Sequence, residues 1–323
     1  MAKKSYPIDT NEFVELGGYP QSIRIRGTDA AKPILLFLHG GPGGCDRHWV
    51  LKDHSDLTDV CTMVCWDQRG SGKSYSAEQA KRSMTIDLMV SDACELIEYL
   101  CKRFDKDQLY IVGHSWGTML GTLVCQRIPE RIIAYVGMGQ VVDLEENEQI
   151  SYQFVIDEAT KRGDAKALKA LEAIPPVNGS YGSIDNLLVQ RDYMTKYGGA
   201  AYGDSESIYA SVIIPILKSP EYSLIDFLKY YRGIFYNLNE LWPEITEVIR
   251  FNKTVLKLDM PVYLTEGRHD QNTPPSIAWK WFEALEAPEK KWVWFEESGH
   301  SPIKEEPEKW NRTIRELLFS QAE

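Results

Sequence analysis

The chain has 323 residues, 43% of them hydrophobic, and a formal net charge of −11. That length supports one large core, or a core that carries an insertion. The negative balance argues against nucleic acid and anionic membranes as partners, because both demand a basic surface.

The opening "MAKKSYPIDTNEF" puts two lysines and polar residues where a secretory leader has an apolar core, so a cytoplasmic protein is expected. No apolar run is long enough to span a bilayer. "EFVELGGYPQSIRIRG" reads as two strands around Gly17-Gly18. "PILLFLHGGPGG" and "VCTMVCWDQRGSGKS" are continuous apolar runs that end in glycine-rich loops, the pattern of strands buried on both faces. "TIDLMVSDACELIEYLCKRF" places Ile86, Met89, Val90, Ala93, Leu96, Ile97 and Leu100 on one helical face. "LYIVGHS" is the next strand, with a helix marked by Met119, Leu120, Leu123 and Val124 after it. "IIAYVGMGQ", "VYLTEGRHD" and "KWVWFEESGH" supply further strands, and "PEKWNRTIRELLFSQ" closes the chain as an amphipathic helix.

Alternating strands and helices predict an α/β fold with a mainly parallel sheet covered on both sides. Between residues 141 and 254 the alternation stops. Helical stripes such as "SYQFVIDEATKRGDAKALKALEAI", "IDNLLVQRDYMTKY", "SIYASVIIPILKS" and "SLIDFLKYYRGIF" fill the interval. The expected organisation is a sheet domain of residues 1–140 and 255–323, interrupted by a helical insertion of 141–254.

Gly113-His114-Ser115-Trp116-Gly117 sits where the strand gives way to the helix. It matches the G-x-S-x-G nucleophile elbow, in which a tight turn lifts the serine above a helix N-terminus. A serine nucleophile needs a base, and the base needs an orienting acid. In this strand-ordered plan the acid and then the histidine follow the serine. Only His269 and His300 come after Ser115. His300 follows a predicted strand in "ESGHSP" and is the expected base, with His269 a loop neighbour. Asp270 follows the strand "VYLTEGRH" and is the expected acid; Asp143 is the alternative. All three sites fall at carboxyl ends of strands, where open α/β sheets hold their ligands. The backbone N–H of Trp116 and that of Gly41, in "HGGPGG", are the expected oxyanion donors. His39, His48 and His114 are read as structural.

"DQRGSGKS" misses the phosphate-binding loop, which needs glycine at position 67, and Asp67 and Arg69 are read as a structural charge pair. The six cysteines (Cys45, Cys61, Cys65, Cys94, Cys101, Cys125) lie in the first half and are read as free buried thiols. No spacing of cysteine or histidine suggests zinc, so no metal is expected. The sequence carries no support for a homo-oligomer, though it permits one.

The set "HGGPGG" (39–44), "DQRGSGKS" (67–74), "GHSWG" (113–117), "GRHD" (267–270) and "SGHSP" (298–302) resembles the α/β-hydrolase superfamily, and within it the proline iminopeptidase group. The resemblance implies the α/β-hydrolase fold, a helical cap over the site, no cofactor, and release of N-terminal proline or a similar small residue from peptides. An esterase or amidase on a small acyl substrate without a free amine is the alternative; it shares the catalytic residues and differs in the cap. That group usually has glycine where His114 stands, whereas esterases of the superfamily commonly have histidine. The group's caps supply carboxylates for the substrate amine. The candidates are Glu145, Glu146 and Glu148 in "DLEENEQ", then Glu206, Glu221 and Glu240. Cap aromatics such as Tyr152, Phe154, Tyr193, Tyr197, Tyr209, Tyr230 and Phe235 are mostly core, with a few expected to line a pocket for a proline-sized ring.

Overall fold

The computed structural model describes residues 6–203 and 214–320. Glu206, Tyr209 and most of "SIYASVIIPILKS" lie outside the described residues. In chain order the elements begin with the hairpin β1 (Ile8–Leu16) and β2 (Tyr19–Gly27), then β3 (Ile34–Leu38), α1 (Arg47–Asp53) and β4 (Thr62–Trp66). Next come α2 (Ile86–Phe104), β5 (Leu109–His114), α3 (Trp116–Arg127) and β6 (Ile132–Met138). A helical stretch follows: α4 (Leu144–Arg162), α5 (Ala165–Leu171), α6 (Ile184–Lys196), α7 (Ile214–Lys218), α8 (Leu224–Val248) and α9 (Phe251–Thr254). The chain ends with β7 (Val262–Gly267), α10 (Pro275–Ala284), β8 (Lys290–Phe295), α11 (Pro302–Glu305) and α12 (Pro307–Leu318).

The eight strands of the described residues form one sheet in the order β1-β2-β4-β3-β5-β6-β7-β8. β1, β2 and β4 pair antiparallel, and β3 through β8 are mutually parallel. The apolar runs are continuous because both sheet faces are covered. Leu36 and Ile111 point into a cluster shared with α2, α3 and α10, whereas Leu35, Phe37 and Val112 point into a second one shared with α1 and α12. α2 buries all seven of its predicted apolar positions, and Thr85 starts it by accepting from the Leu88 N–H at 3.1 Å.

Strand order turns at β3. The chain goes from β3 to β4 on one side, then crosses back to β5 on the other. This is the switch point at which an open α/β sheet leaves a crevice at its carboxyl edge. The loops after β3, β5, β7 and β8 all open there, and the helices α4 to α9 leave and re-enter the sheet between β6 and β7. Leu144, Leu187, Leu238 and Trp242 from those helices join the same apolar cluster as α2 and α3.

The pair expected between Asp67 and Arg69 does not form. Asp67 takes Arg47 Nε at 2.8 Å and the Lys73 N–H at 2.9 Å, while Arg69 reaches Asp92 at 2.6 Å and the Leu16 carbonyl at 2.9 Å. The loop turns at Gly70 and Gly72, both with positive φ, and folds Lys73 back over Asp67, whereas Arg69 points the other way under the β1–β2 hairpin.

Candidate active site

Ser115 is the residue between β5 and α3, with φ 54° and ψ −118°. A serine held there stores strain, which the surroundings must over-determine. They do. The Ser115 N–H donates to the Met138 carbonyl at the end of β6 (3.0 Å), and its own carbonyl accepts from the Thr118 N–H (2.7 Å) and Thr118 Oγ1 (2.6 Å). The flanking glycines have a steric reason. A Cβ on Gly113 would lie 2.5 Å from the Gly117 carbonyl oxygen, and one on Gly117 would lie 2.0 Å from that of Leu38. Strand and helix therefore touch backbone to backbone, and the turn stays sharp.

Asp270 and His300 meet. His300 Nδ1 donates to Asp270 Oδ2 at 2.8 Å, with Asp270 fully buried. The other carboxylate oxygen accepts the N–H groups of Asn272 (2.8 Å) and Thr273 (2.9 Å). Thr273 Oγ1 donates to Asp270 Oδ2 at 2.6 Å and lies 3.1 Å from His300 Nδ1. The acid is thus held by three donors besides the imidazole, and the Nδ1 proton faces it. The His300 N–H is anchored on the Ala200 carbonyl at 2.8 Å.

The residue before Ser115 touches this pair. The ring of His114 lies 5.0 Å from that of His300, and His114 Nε2 meets the His300 carbonyl at 3.1 Å. Among the described residues Ser115 Oγ makes no hydrogen bond; it opens into a cavity of about 170 Å³. Gly41 and Trp116, the expected oxyanion donors, line the same cavity, as does Thr273. Burial lowers the proton affinity of His114, but the adjacent Asp46 carboxylate outweighs it and the net shift is upward. His39 keeps a structural role, with Nδ1 on the Gly40 carbonyl at 2.8 Å and Nε2 accepting from the Gln68 N–H at 3.2 Å. His269 bonds the Glu296 carbonyl at 3.1 Å and stacks on Tyr202. Asp143 caps α4 through the N–H groups of Glu145 and Glu146 and bonds Asn252, so it is not the partner of His300. Cys45 lies 3.7 Å from His39 Nε2, but burial pushes its thiol well above the usual range, so it offers no rival nucleophile.

The three acids of "DLEENEQ" separate cleanly. Glu145 pairs with Arg250 at 3.3 Å and Glu146 with Lys280 at 2.9 Å, both away from the cavity. Glu148 is fully buried, lines the cavity, and accepts from Arg191 Nη2 at 2.5 Å. Its other oxygen, Oε2, has no hydrogen-bond partner among the described residues. Glu221 is taken by Arg24 and Arg26 of β2, and Glu240 is exposed. None of the described cap tyrosines and phenylalanines named above lines the cavity, whose aromatic walls are Trp116 and Trp242. The tyrosines pack among themselves instead, as in Tyr193 against Tyr197 at 5.9 Å. Among the described residues no group of three or more His, Cys, Asp or Glu is placed to hold a metal.

Comparison with known proteins agrees with this fold. A family model described as the alpha/beta hydrolase fold matches residues 33–307. The chain belongs to the α/β-hydrolase family. As a hydrolase of this family it is 33% identical over 305 residues to a probable aminopeptidase, YbaC, of Bacillus subtilis, covering 93% of each chain. It is 23% identical over 316 residues to the proline iminopeptidase of Lactobacillus delbrueckii subsp. bulgaricus, covering 97% of this chain and 98% of that one. The solved proline iminopeptidase of Mycobacterium smegmatis shares the fold with a TM-score of 0.61 at 15% identity, over 96% of this chain and 97% of that one.

Thr273, Arg191 and Trp242 escaped sequence reasoning. Thr273 had a signal: Asp270-x-x-Thr273 ahead of Pro274-Pro275 is helix-start grammar, and α10 begins at Pro275.

Proposed function

We propose that this hydrolase is a serine aminopeptidase that removes an N-terminal residue, proline or one of similar size, from peptides, with Ser115, His300 and Asp270 as its catalytic residues. The observation that carries the reading is one cavity with Ser115 at its floor and the unpartnered Glu148 Oε2 in its wall. The first supports acyl transfer and the second supports the seating of a substrate ammonium. The names of the relatives support the same class.

Ser115 Oγ attacks the carbonyl carbon of the first residue while His300 Nε2 takes its proton. Asp270 keeps the Nδ1 proton in place and stabilises the imidazolium. The N–H groups of Gly41 and Trp116 hold the developing oxyanion, helped by the N-terminal end of α3. His300 then protonates the leaving amine, and the C–N bond breaks to give an acyl-enzyme. Water, deprotonated by His300, attacks the ester in turn and frees the residue and the serine. The serine–imidazole hydrogen bond forms when substrate fills the cavity, since catalytic contacts commonly close only in the substrate complex. Glu148 Oε2 accepts from the substrate ammonium, and α4 to α9 act as the cap that seats it. Six free cysteines fit a reducing, cytoplasmic setting.

The test pairs a variant with a substrate change. Ser115→Ala is expected to fold normally and lose turnover by about 10⁴-fold or more. N-acetylation of a proline arylamide is expected to lower kcat/KM by about a thousandfold, because Glu148 would be left without its ammonium. Equal cleavage of the acetylated substrate would favour the esterase or amidase reading; wild-type turnover by Ser115→Ala would end both.

A further inference from the structure

The cavity carries more polarity than a proline ring uses. Glu148 on α4 and Arg191 on α6 form an ion pair in its wall, with Nη2 to Oε1 at 2.5 Å. Two buried atoms beside that pair lack hydrogen-bond partners among the described residues. One is the acceptor Glu148 Oε2 and the other the donor Trp242 Nε1–H of α8. The Arg191 guanidinium lies 6.0 Å from the Trp242 ring, on the same wall. Among the described residues its five N–H donors meet only Glu148, Gln190 and the Tyr181 phenol.

An α-ammonium satisfies Oε2 and nothing else here. The pair is already neutral, so an added ammonium leaves one uncompensated positive charge inside the cavity, which is unfavourable away from water. The indole N–H and the spare guanidinium donors still need an acceptor. A substrate residue that brings its own anionic oxygen answers both needs, restoring neutrality and filling the orphan donors.

We infer that the cavity also accepts N-terminal acidic residues, so that the enzyme cleaves after glutamate or aspartate as well as after small apolar residues. This rests on the aminopeptidase reading of the site. The free amine lies on Glu148 Oε2, and the side-chain carboxylate lies between Arg191 and the Trp242 N–H. Four charges then alternate in sign, and both orphan atoms are paired. Arg191 and Trp242 become specificity residues rather than scaffold.

The experiment compares kcat/KM for the arylamides of L-glutamate, L-aspartate, L-glutamine, L-leucine and L-proline. In the wild-type enzyme glutamate is expected to exceed both glutamine and leucine by about tenfold or more, because leucine lacks the acceptor and glutamine lacks the negative charge that restores neutrality. Arg191→Met is expected to reverse that order, with leucine above glutamate. Should Arg191→Met fail to fold, the wild-type ranking still decides, together with competitive inhibition by free L-glutamate against free L-leucine, where the former is expected to bind about tenfold tighter. Glutamate and aspartate arylamides cleaved no faster than those of glutamine and leucine would overturn the inference. If leucine and proline arylamides are cleaved and glutamate is not, only this inference falls. If no free-amine arylamide is cleaved while acetylated amides or esters are, the aminopeptidase reading falls and takes the inference with it.

Discussion

Gly117→Ala tests whether the backbone contact beneath Ser115 sets the site. The added Cβ would lie 2.0 Å from the Leu38 carbonyl oxygen, 2.7 Å from the Leu38 carbonyl carbon and 2.9 Å from the His39 oxygen. Ordinary contact begins near 3.4 Å, so α3 and the end of β3 must separate by about 1 Å or more. No side chain can yield instead, because every opposing atom is backbone. Leu38 is pinned opposite Gly113 in the β3–β5 ladder, and the strain passes down "HGGPGG" toward Gly41. Overpacking of this kind costs about 3 kcal/mol, the upper end of its usual range, and lowers Tm by about 4 °C in a chain of this size. A displacement of about 1 Å between the Gly41 N–H and Ser115 lowers kcat/KM by about a hundredfold. Thermal melts and steady-state rates on a free-amine arylamide measure both effects. Gly121→Ala is the control: its Cβ meets the edge of the Tyr135 ring at 2.8 Å, a side chain rather than backbone, and activity is expected to fall far less. If Gly117→Ala melted with the wild type and kept activity within about threefold, the steric account of the elbow would be wrong.

Asp270→Asn is expected to cut kcat by about 10⁴-fold through loss of the correct imidazole tautomer. Thr273→Val, which removes one donor to Asp270 Oδ2, should cost about tenfold in kcat with little change in KM; an unaltered kcat there would deny Thr273 a positioning role. The buried histidines predict opposite pH signatures. Burial lowers His48 from 6.5 to about 4, against the opposing pull of Asp46. The unfolded chain therefore binds the extra proton first, and stability drops as pH falls from 6.5 toward 4, by about 2 kcal/mol at pH 5. His48→Asn should flatten that slope in urea unfolding at pH 7 and pH 5, and parallel slopes would contradict it. His114 is shifted the other way, so its contribution is complete below pH 6.5 and fades as pH rises through its raised value. His114→Asn should accordingly cost more stability at pH 6 than at pH 8.5.

Most of the sheet was legible because each buried strand leaves an unbroken apolar run with glycines at its exit, as in "ILLFL" and "LYIVG". The elbow was legible for a similar reason. Gly113 and Gly117 mark a backbone contact that no other residue fits, so the motif is a steric statement as much as a chemical one. α10 was not read, since "PSIAWKWFEA" lies directly behind a catalytic-looking loop and its prolines resemble turn punctuation. They instead start the helix, with Pro275 as its first residue. The partners of Asp67 and Arg69 were illegible because two residues of one loop can face opposite ways, Asp67 toward Arg47 and Arg69 toward Asp92. The predicted pairing used proximity in sequence where the fold used direction.

The polar wall of the cavity had a signal that charge counting hides. On α4 the buried positions run Leu144, Asn147, Glu148, Ser151, Val155 and Ala159, a helical stripe with an acid inside it, whereas Glu145 and Glu146 fall outside the stripe. On α6 the residues one turn either side of Arg191, Leu187 and Met194, are both buried. A charged side chain on a buried stripe must be paired or serve a ligand. Two such stripes, from helices that pack together, put Glu148 and Arg191 on one wall. Periodicity alone therefore nominates both residues and rejects the two neighbouring glutamates. What periodicity cannot supply is the remainder after pairing: one carboxylate oxygen and one indole N–H left without partners among the described residues. That remainder turns an ion pair that could have been mere scaffold into a statement about what the cavity receives.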